Sequence, residues 1–155
     1  MKPKSNTLFH FTKSLDVIKS ILSNGFWPKY CLEDLSWYFK CGEGYIAYPI
    51  VCFCDIPLSR SNEHVSFYGE FGIGLTRNWA MANQLNPVSY LTTSSSYGQA
   101  ISNILYENHA KSGLYEKASS DMNMLMSHIK PIEGKMIVSG EIVEKEFYQE
   151  NEWRF

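Results

Sequence analysis

The clearest pattern along the chain is an apolar stripe at helical spacing near its start. Ile18, Ile21 and Leu22 fall on one face of a helix with the period of 3.6 residues. Ser14 precedes this stripe as a candidate N-cap, and Gly25 follows it as a stop signal. The sequence therefore predicts a helix between Ser14 and Gly25 that packs the stripe into the core.

Segments with aromatic and β-branched residues predict strands. Residues 7–12 read Thr-Leu-Phe-His-Phe-Thr, and residues 45–58 are extended in character because their prolines restrict the neighbouring backbone. Residues 71–75 alternate large apolar residues with Gly72 and Gly74, so one face of that strand carries no side chains. Such a bare face admits either close packing of a neighbouring element or the approach of a ligand to the main chain.

Short strand-like and helical segments follow one another irregularly along the rest of the chain. Strand-like residues occur near 86–91 and in the last twenty positions, and helical patterns occur near 99–111 and 122–129. A chain of 155 residues has the size of one compact domain. We therefore expect an α+β fold in a single domain over 1–155, with a mixed or antiparallel central sheet and flanking helices.

Composition and charge narrow the classes of function. The net charge of −2 provides no broad basic field for a nucleic-acid backbone. The four cysteines are spaced neither as a disulfide framework nor as a zinc knuckle, so we expect reduced thiols and no metal. No apolar run approaches the roughly 20 residues that span a bilayer, and the N-terminus lacks the apolar core of a signal peptide. We expect a cytoplasmic protein that is not bound to a membrane.

Two positions could carry chemistry in the first half of the chain. His10 lies near a strand end beside Thr12, where an imidazole could donate a fixed hydrogen bond into a cleft. Tyr68 precedes Gly69, and a ring next to a residue without a side chain could stack on a planar ligand. The alternatives are a structural histidine in the core and an ordinary packing tyrosine.

Two further candidates are charged. Glu152 and Arg154 fall on the same face of a predicted strand, where the simplest interpretation is a surface ion pair. Arg60 follows the loop at Pro57 and could hold a phosphate through forked hydrogen bonds, although a solvated loop arginine is the alternative.

Several ordered segments carry a resemblance to a known family. They read LFHFT, ILSNGFWPKYCLED, VCFCDIPLS, HVSFYGEFGIGLTRNWA, NPVSYL and ENEWRF, and they resemble the AbiGi family of abortive phage-resistance proteins. The resemblance implies the antitoxin side of a two-gene abortive-infection system in bacteria, with a cognate toxin or antitoxin protein as partner. It covers most of the chain.

The layout also resembles those members of the ADP-ribosyltransferase superfamily that have a His, Tyr, Glu triad, which open with His-x-Thr before a helix that ends near a glycine. The matching positions are His10, Thr12 and the helix up to Gly25. This resemblance implies NAD as the substrate, with His10 on its ribose, Tyr68 stacked on nicotinamide, and Glu152 stabilising the oxocarbenium-like ribose. Thr12 and Arg60 would be further contacts to NAD.

Two hypotheses about function remain open. The first is an NAD-dependent enzyme that transfers ADP-ribose to a protein or nucleic acid or hydrolyses NAD, and it predicts that His10, Tyr68 and Glu152 converge. The second is a non-catalytic antitoxin or protein-binding module that uses exposed aromatic residues as anchors. The candidate anchors are Trp27, Tyr30, Trp37, Tyr38 and Phe39.

Overall fold

The computed structural model describes residues 6–38, 44–112, 116–138 and 140–155. The strands in chain order are β1 (Thr7–Thr12), β2 (Lys29–Asp34), β3 (Tyr45–Ile50), β4 (Cys52–Cys54), β5 (Phe71–Thr76), β6 (Asn86–Pro87), β7 (Ser89–Leu91), β8 (Ile129–Pro131), β9 (Glu133–Val138), β10 (Glu141–Glu146) and β11 (Glu152–Arg154). The helices are α1 (Leu15–Asn24), α2 (Asn62–Tyr68), α3 (Arg77–Ala82), α4 (Ser96–Ser112) and α5 (Glu116–Met126). Within these ranges, no helix combines the length and apolar character that a membrane crossing needs.

The α+β class and the antiparallel central sheet are confirmed. The described residues divide into two compact units. The first unit comprises the chain up to Lys29 together with Pro49–Pro87 and Glu150–Phe155, and the second comprises Tyr30–Tyr48 and Val88–Gln149. A single domain over 1–155 stays a prediction.

The first unit is built on a five-stranded sheet in the order β5-β1-β4-β11-β6. Every neighbouring pair in this sheet is antiparallel. The register places Gly74, Phe9, Cys54 and Glu152 in one row across four strands. Because residues directly opposite each other in a sheet share a face, this row fixes which side chains lie on each side.

One face of the sheet carries the core of the first unit. Leu8 and Phe53 are fully buried there, and the rings of Phe26 and Trp79 pack against Phe53 at centroid distances of 5.0 and 5.9 Å. The buried core also contains Val51, Ala80 and Leu85, with Leu75 and Trp153 packed against it.

The opposite face contains the two glycines of β5, and aromatic rings cover them. A Cβ atom added at Gly72 would lie 2.9 Å from the Phe11 ring, and one added at Gly74 would lie 3.0 Å from the Phe9 ring. Both rings belong to β1, directly opposite the glycines in the register. The bare face is therefore filled by cross-strand rings.

The predicted bounds of the first helix are confirmed, but its predicted packing is only partly correct. Ser14 accepts a hydrogen bond from the backbone N–H of Asp16 at 3.2 Å, and Gly25 ends the helix with a φ of 80°. Ile18 and Ile21 are half-buried, whereas Leu22 is 73% exposed. The prediction for Leu22 is wrong because α1 turns only a narrow side toward the sheet, where large aromatic rings already fill the core.

The second unit contains the two longer helices, two complete two-stranded pairs and most of the β2–β3 pair. β2 pairs with β3, β7 runs parallel to β8, and β9 forms an antiparallel pair with β10. Asp34 joins the end of β2 to β9. Its carboxylate accepts hydrogen bonds from the backbone N–H groups of Ser36 and Lys135, both at 2.9 Å.

We expect Phe53→Ala to lower the free energy of unfolding by about 3–5 kcal/mol, because it removes a buried ring from the middle of an aromatic cluster. Leu22→Ala is the matched control and should change stability by less than about 0.5 kcal/mol. Urea denaturation followed by circular dichroism measures both. Equal losses for the two variants would contradict the exposed position of Leu22 on α1.

Candidate functional site

The centre of the candidate site is an ion pair on β11, in the interior of the five-stranded sheet. The Nε and Nη2 atoms of Arg154 donate to the two carboxylate oxygens of Glu152 at 2.8 and 2.9 Å. Arg154 is 0% exposed and Glu152 is 6% exposed. The sequence pattern favoured a surface ion pair, but the pair is buried and bidentate, which is the strongest geometry for these two groups.

His10 lies on the core face of the sheet. Its Nδ1–H donates to the carbonyl oxygen of Cys52 at 2.8 Å, since a carbonyl can only accept. The imidazole centroid lies 5.3 Å from that of Phe26 and 5.6 Å from that of Phe53. Burial lowers the pKa of His10 below 6.5, the Cys52 carbonyl opposes this, and the charge of Lys29 adds to the lowering. The histidine is therefore neutral at pH 7.

The sheet lies between His10 and Glu152. Glu152 shares its row and face with Cys54 and Phe9. His10 is the next residue after Phe9, so its side chain points to the opposite face. The contact between the His10 and Phe53 rings agrees with this assignment, because Phe53 alternates with Cys54 in β4. The structure does not bring His10 and Glu152 together.

Tyr68 lies on the same side of the sheet as Glu152 and contacts the carboxylate of Glu150. Its hydroxyl donates to Glu150, which is 3% exposed. The ring of His64, one turn earlier on α2, lies 4.5 Å from the Tyr68 ring and 5.6 Å from that of Phe11. Sequence reasoning missed Glu150, and the only signal for it was a second acidic residue two positions before Glu152.

The two remaining predicted contacts to NAD lie at the end of β1 and in the turn before α2. Thr12 is half-buried at the end of β1, opposite Phe71 in the register. Arg60 is exposed in the 3₁₀ turn Leu58–Arg60. The sequence also gave no sign of the ion pair between Arg77 and Asp55. The roles proposed for His10, Thr12, Tyr68, Arg60 and Glu152 in NAD chemistry stay predictions.

Cys54 lies between Phe9 and Glu152 in the sheet. Burial raises the pKa of its thiol to about 12, and the nearby charge of Glu150 contributes. The group is therefore an uncharged thiol at neutral pH, whereas a nucleophile or metal ligand would be a thiolate. Cys31, Cys52 and Cys54 form no disulfide with one another, and Cys41 lies outside the described residues.

Comparison with known proteins identifies the family. Residues 24–155 match the family described as "Putative abortive phage resistance protein AbiGi, antitoxin". The chain belongs to this family, as the ordered segments predicted. The abortive phage resistance protein AbiGi of Lactococcus lactis subsp. cremoris is 32% identical over 157 aligned positions, which cover 84% of this chain and 61% of that relative. This chain thus spans less than two thirds of the relative's length. No solved structure matches it, and the resemblance to ADP-ribosyltransferases stays a prediction.

We expect Arg154→Met to lower the free energy of unfolding by about 3–5 kcal/mol, because Glu152 would lose both hydrogen bonds from the guanidinium while it remains buried. Adding Glu152→Leu to this variant should recover part of the loss, since the buried charge is then removed as well. Urea midpoints of the wild type, both single variants and the double variant measure the coupling. Strictly additive losses would show that the two side chains do not depend on each other.

The lowered pKa of His10 makes stability depend on pH. Above pH 6.5 the imidazole is neutral in the folded and the unfolded chain, so its contribution is fully present. As pH falls through 6.5, His10 is protonated in the unfolded chain before it is protonated in the folded chain. The free energy of unfolding therefore decreases until pH reaches the lower pKa of the folded state. The loss of stability between about pH 7 and pH 5 should be smaller in His10→Gln, which does not titrate in this range. Equal slopes in denaturation series would contradict the assignment.

Proposed function

We propose that this protein is a non-catalytic antitoxin of an abortive-infection system and that it neutralises its cognate toxin by direct binding. The family description supports the class of function. The observation that carries the proposal is an exposed apolar surface on the first unit, formed by Leu15, Leu22 and Trp27, which we call the α1 surface.

The α1 surface has the features of a protein-binding site. Leu22 and Trp27 are each 73% exposed, and Leu15 lies on the same side of α1 because it precedes Leu22 by seven residues. The indole N–H of Trp27 donates to the carbonyl oxygen of Asn24 at 3.2 Å, so the ring is held against the end of the helix. A tryptophan held in place before binding loses little conformational entropy in a complex, and tryptophans are frequent interface hot spots.

The other predicted aromatic anchors divide between surface and core. Tyr30 is exposed in the second unit, whereas Tyr38 is buried and Trp37 is half-buried. Phe39 lies outside the described residues. Trp27 and Tyr30 therefore retain the predicted character of anchors, and Tyr38 is a core residue instead.

The geometry of the candidate NAD residues also supports a non-catalytic role. His10 faces the core on one side of the sheet, and Glu152 is held by Arg154 on the other side. An ADP-ribosyltransferase of the kind that the sequence resembles needs its histidine and its glutamate to contact the same NAD molecule. Tyr68 donates to the buried carboxylate of Glu150, just before β11.

We expect Trp27→Ala to weaken binding of the toxin encoded in the same two-gene system by about 30-fold, the loss typical of a truncated hot spot. Isothermal titration with the purified toxin measures this, and survival of cells that express both proteins should fall in parallel. Met81→Ala is the matched control, because Met81 is an exposed apolar residue on α3 of the same unit. Undiminished affinity in Trp27→Ala would remove the α1 surface from the interface.

Assays with NAD distinguish this proposal from the enzymatic hypothesis. A non-catalytic antitoxin should release no nicotinamide from NAD, and titration with NAD should produce no heat. Nicotinamide release that Glu152→Gln abolishes without unfolding the chain would overturn the proposal and establish Glu152 as a catalytic residue.

A further inference from the structure

A cation lies within the α1 surface. Lys19 follows Leu15 by four residues and precedes Leu22 by three, so its side chain projects between theirs on the same side of the helix. The two leucines are about 10 Å apart along the helix axis, and all three side chains are exposed. A partner that covers both leucines therefore also covers the ammonium group of Lys19.

Lys19 already has a partner, but the pair lies in water. Its Nζ atom is 3.2 Å from Oδ1 of Asp16, and the two side chains are 66% and 89% exposed. An exposed pair of this kind contributes little to stability. An ammonium group has three N–H donors, and Asp16 accepts from one of them. A carboxylate on a partner can therefore bind Lys19 while α1 keeps its conformation.

The segment around the α1 surface is positively charged, although the whole chain is negatively charged. Lys13 and Lys29 are exposed just before α1 and just after Trp27, and Asp16 is the only acidic residue between them. Three lysines and one aspartate give residues 13–29 a net charge of +2, whereas the chain carries −2. A partner that covers this segment has to supply negative charge, because burying a cation without a counter-charge is costly.

Two other occupants fit this surface less well. A second copy of the chain would bring the same positive charges together, and like charges across an interface oppose binding. An anionic membrane is typically recognised by clusters of about four to eight basic residues. Residues 13–29 contain three lysines, and one of these is paired with Asp16. A protein segment, in contrast, can place a carboxylate directly at a single lysine.

We propose that the α1 surface binds an acidic segment of the toxin, with a carboxylate over Lys19 and apolar side chains on Leu15, Leu22 and Trp27. This inference rests on the proposed function, since the toxin supplies the segment. The carboxylates of the segment attract the lysines before the apolar groups meet, which speeds association. In the complex, one of them balances the charge of Lys19 between the two leucines.

Substitutions of Lys19 test for the carboxylate. Lys19→Gln removes the charge and should weaken toxin binding about fivefold, whereas Lys19→Glu sets like charges together and should weaken it about 50-fold. Lys19→Arg keeps the charge and should stay within about twofold of the wild type. Isothermal titration with the purified toxin measures the affinities. Urea midpoints should not change, because Lys19 contributes only an exposed ion pair to the folded chain.

Asn78→Glu is the matched control. Asn78 is exposed on α3 of the same unit, and this substitution lowers the net charge by one unit, as Lys19→Gln does. It should change the affinity by less than about twofold, because salt screens the long-range effect of net charge. Equal losses in Asn78→Glu and Lys19→Gln would show that net charge sets the affinity, and this result would overturn the carboxylate over Lys19.

Salt and lipid vesicles test the charge and the class of the partner. The association rate constant of the wild type with the toxin should fall about tenfold between about 50 and 500 mM sodium chloride, since salt screens attraction between exposed charges. The fall should be smaller for Lys19→Gln. Vesicles of phosphatidylglycerol and phosphatidylcholine should not sediment the protein. Sedimentation that Lys19→Glu abolishes would overturn the protein segment in favour of a lipid surface.

The Trp27 variant separates the failure of this inference from that of the proposed function. If Trp27→Ala weakens toxin binding while Lys19→Gln and Lys19→Glu do not, the antitoxin role stands and the acidic segment is overturned. If the wild type does not bind the toxin, the antitoxin proposal itself fails and the acidic segment fails with it.

Discussion

The buried pair of Arg154 and Glu152 is the interaction that most constrains the first unit. The last residues of the chain form β11, which lies between β4 and β6 in the sheet. A guanidinium with no exposure must have its charge balanced where it lies, and the carboxylate two residues earlier does this with two hydrogen bonds. The position of β11 and the charge balance on the face opposite the apolar core are therefore set together.

The same strand connects the core with the periphery of the unit. Glu150, just before β11, accepts from Tyr68 on α2, while Asn151 exchanges hydrogen bonds with the main chain of Asp55. Asp55 in turn pairs with Arg77 at the start of α3. Charged and polar residues near the C-terminus thus fix two helices against the sheet.

Local sequence patterns predicted the helices and strands whose formation depends on neighbouring residues. The bounds of α1 followed from Ser14 and Gly25, and the strand character of β1 and β5 followed from alternation. The relative side of His10 and Glu152 could not follow from such patterns, because it depends on the register of β1, β4 and β11 across more than a hundred residues. The contact between Tyr68 and Glu150 joins residues 82 positions apart, and no local signal specifies it.

Gly69 shows how a missing side chain can determine the position of a functional group. It has a φ of 118°, and a Cβ atom there would lie 2.2 Å from the carbonyl oxygen of Thr12. The end of α2 can therefore touch the end of β1 only while residue 69 is glycine, and the residue before it is Tyr68. Any larger residue at this position would push the end of α2 away from β1 and Tyr68 away from the carboxylate of Glu150. Loss of the Tyr68 contact can thus arise without a change in either partner, through a hydrogen atom replaced by a methyl group at a site that bears no chemistry of its own.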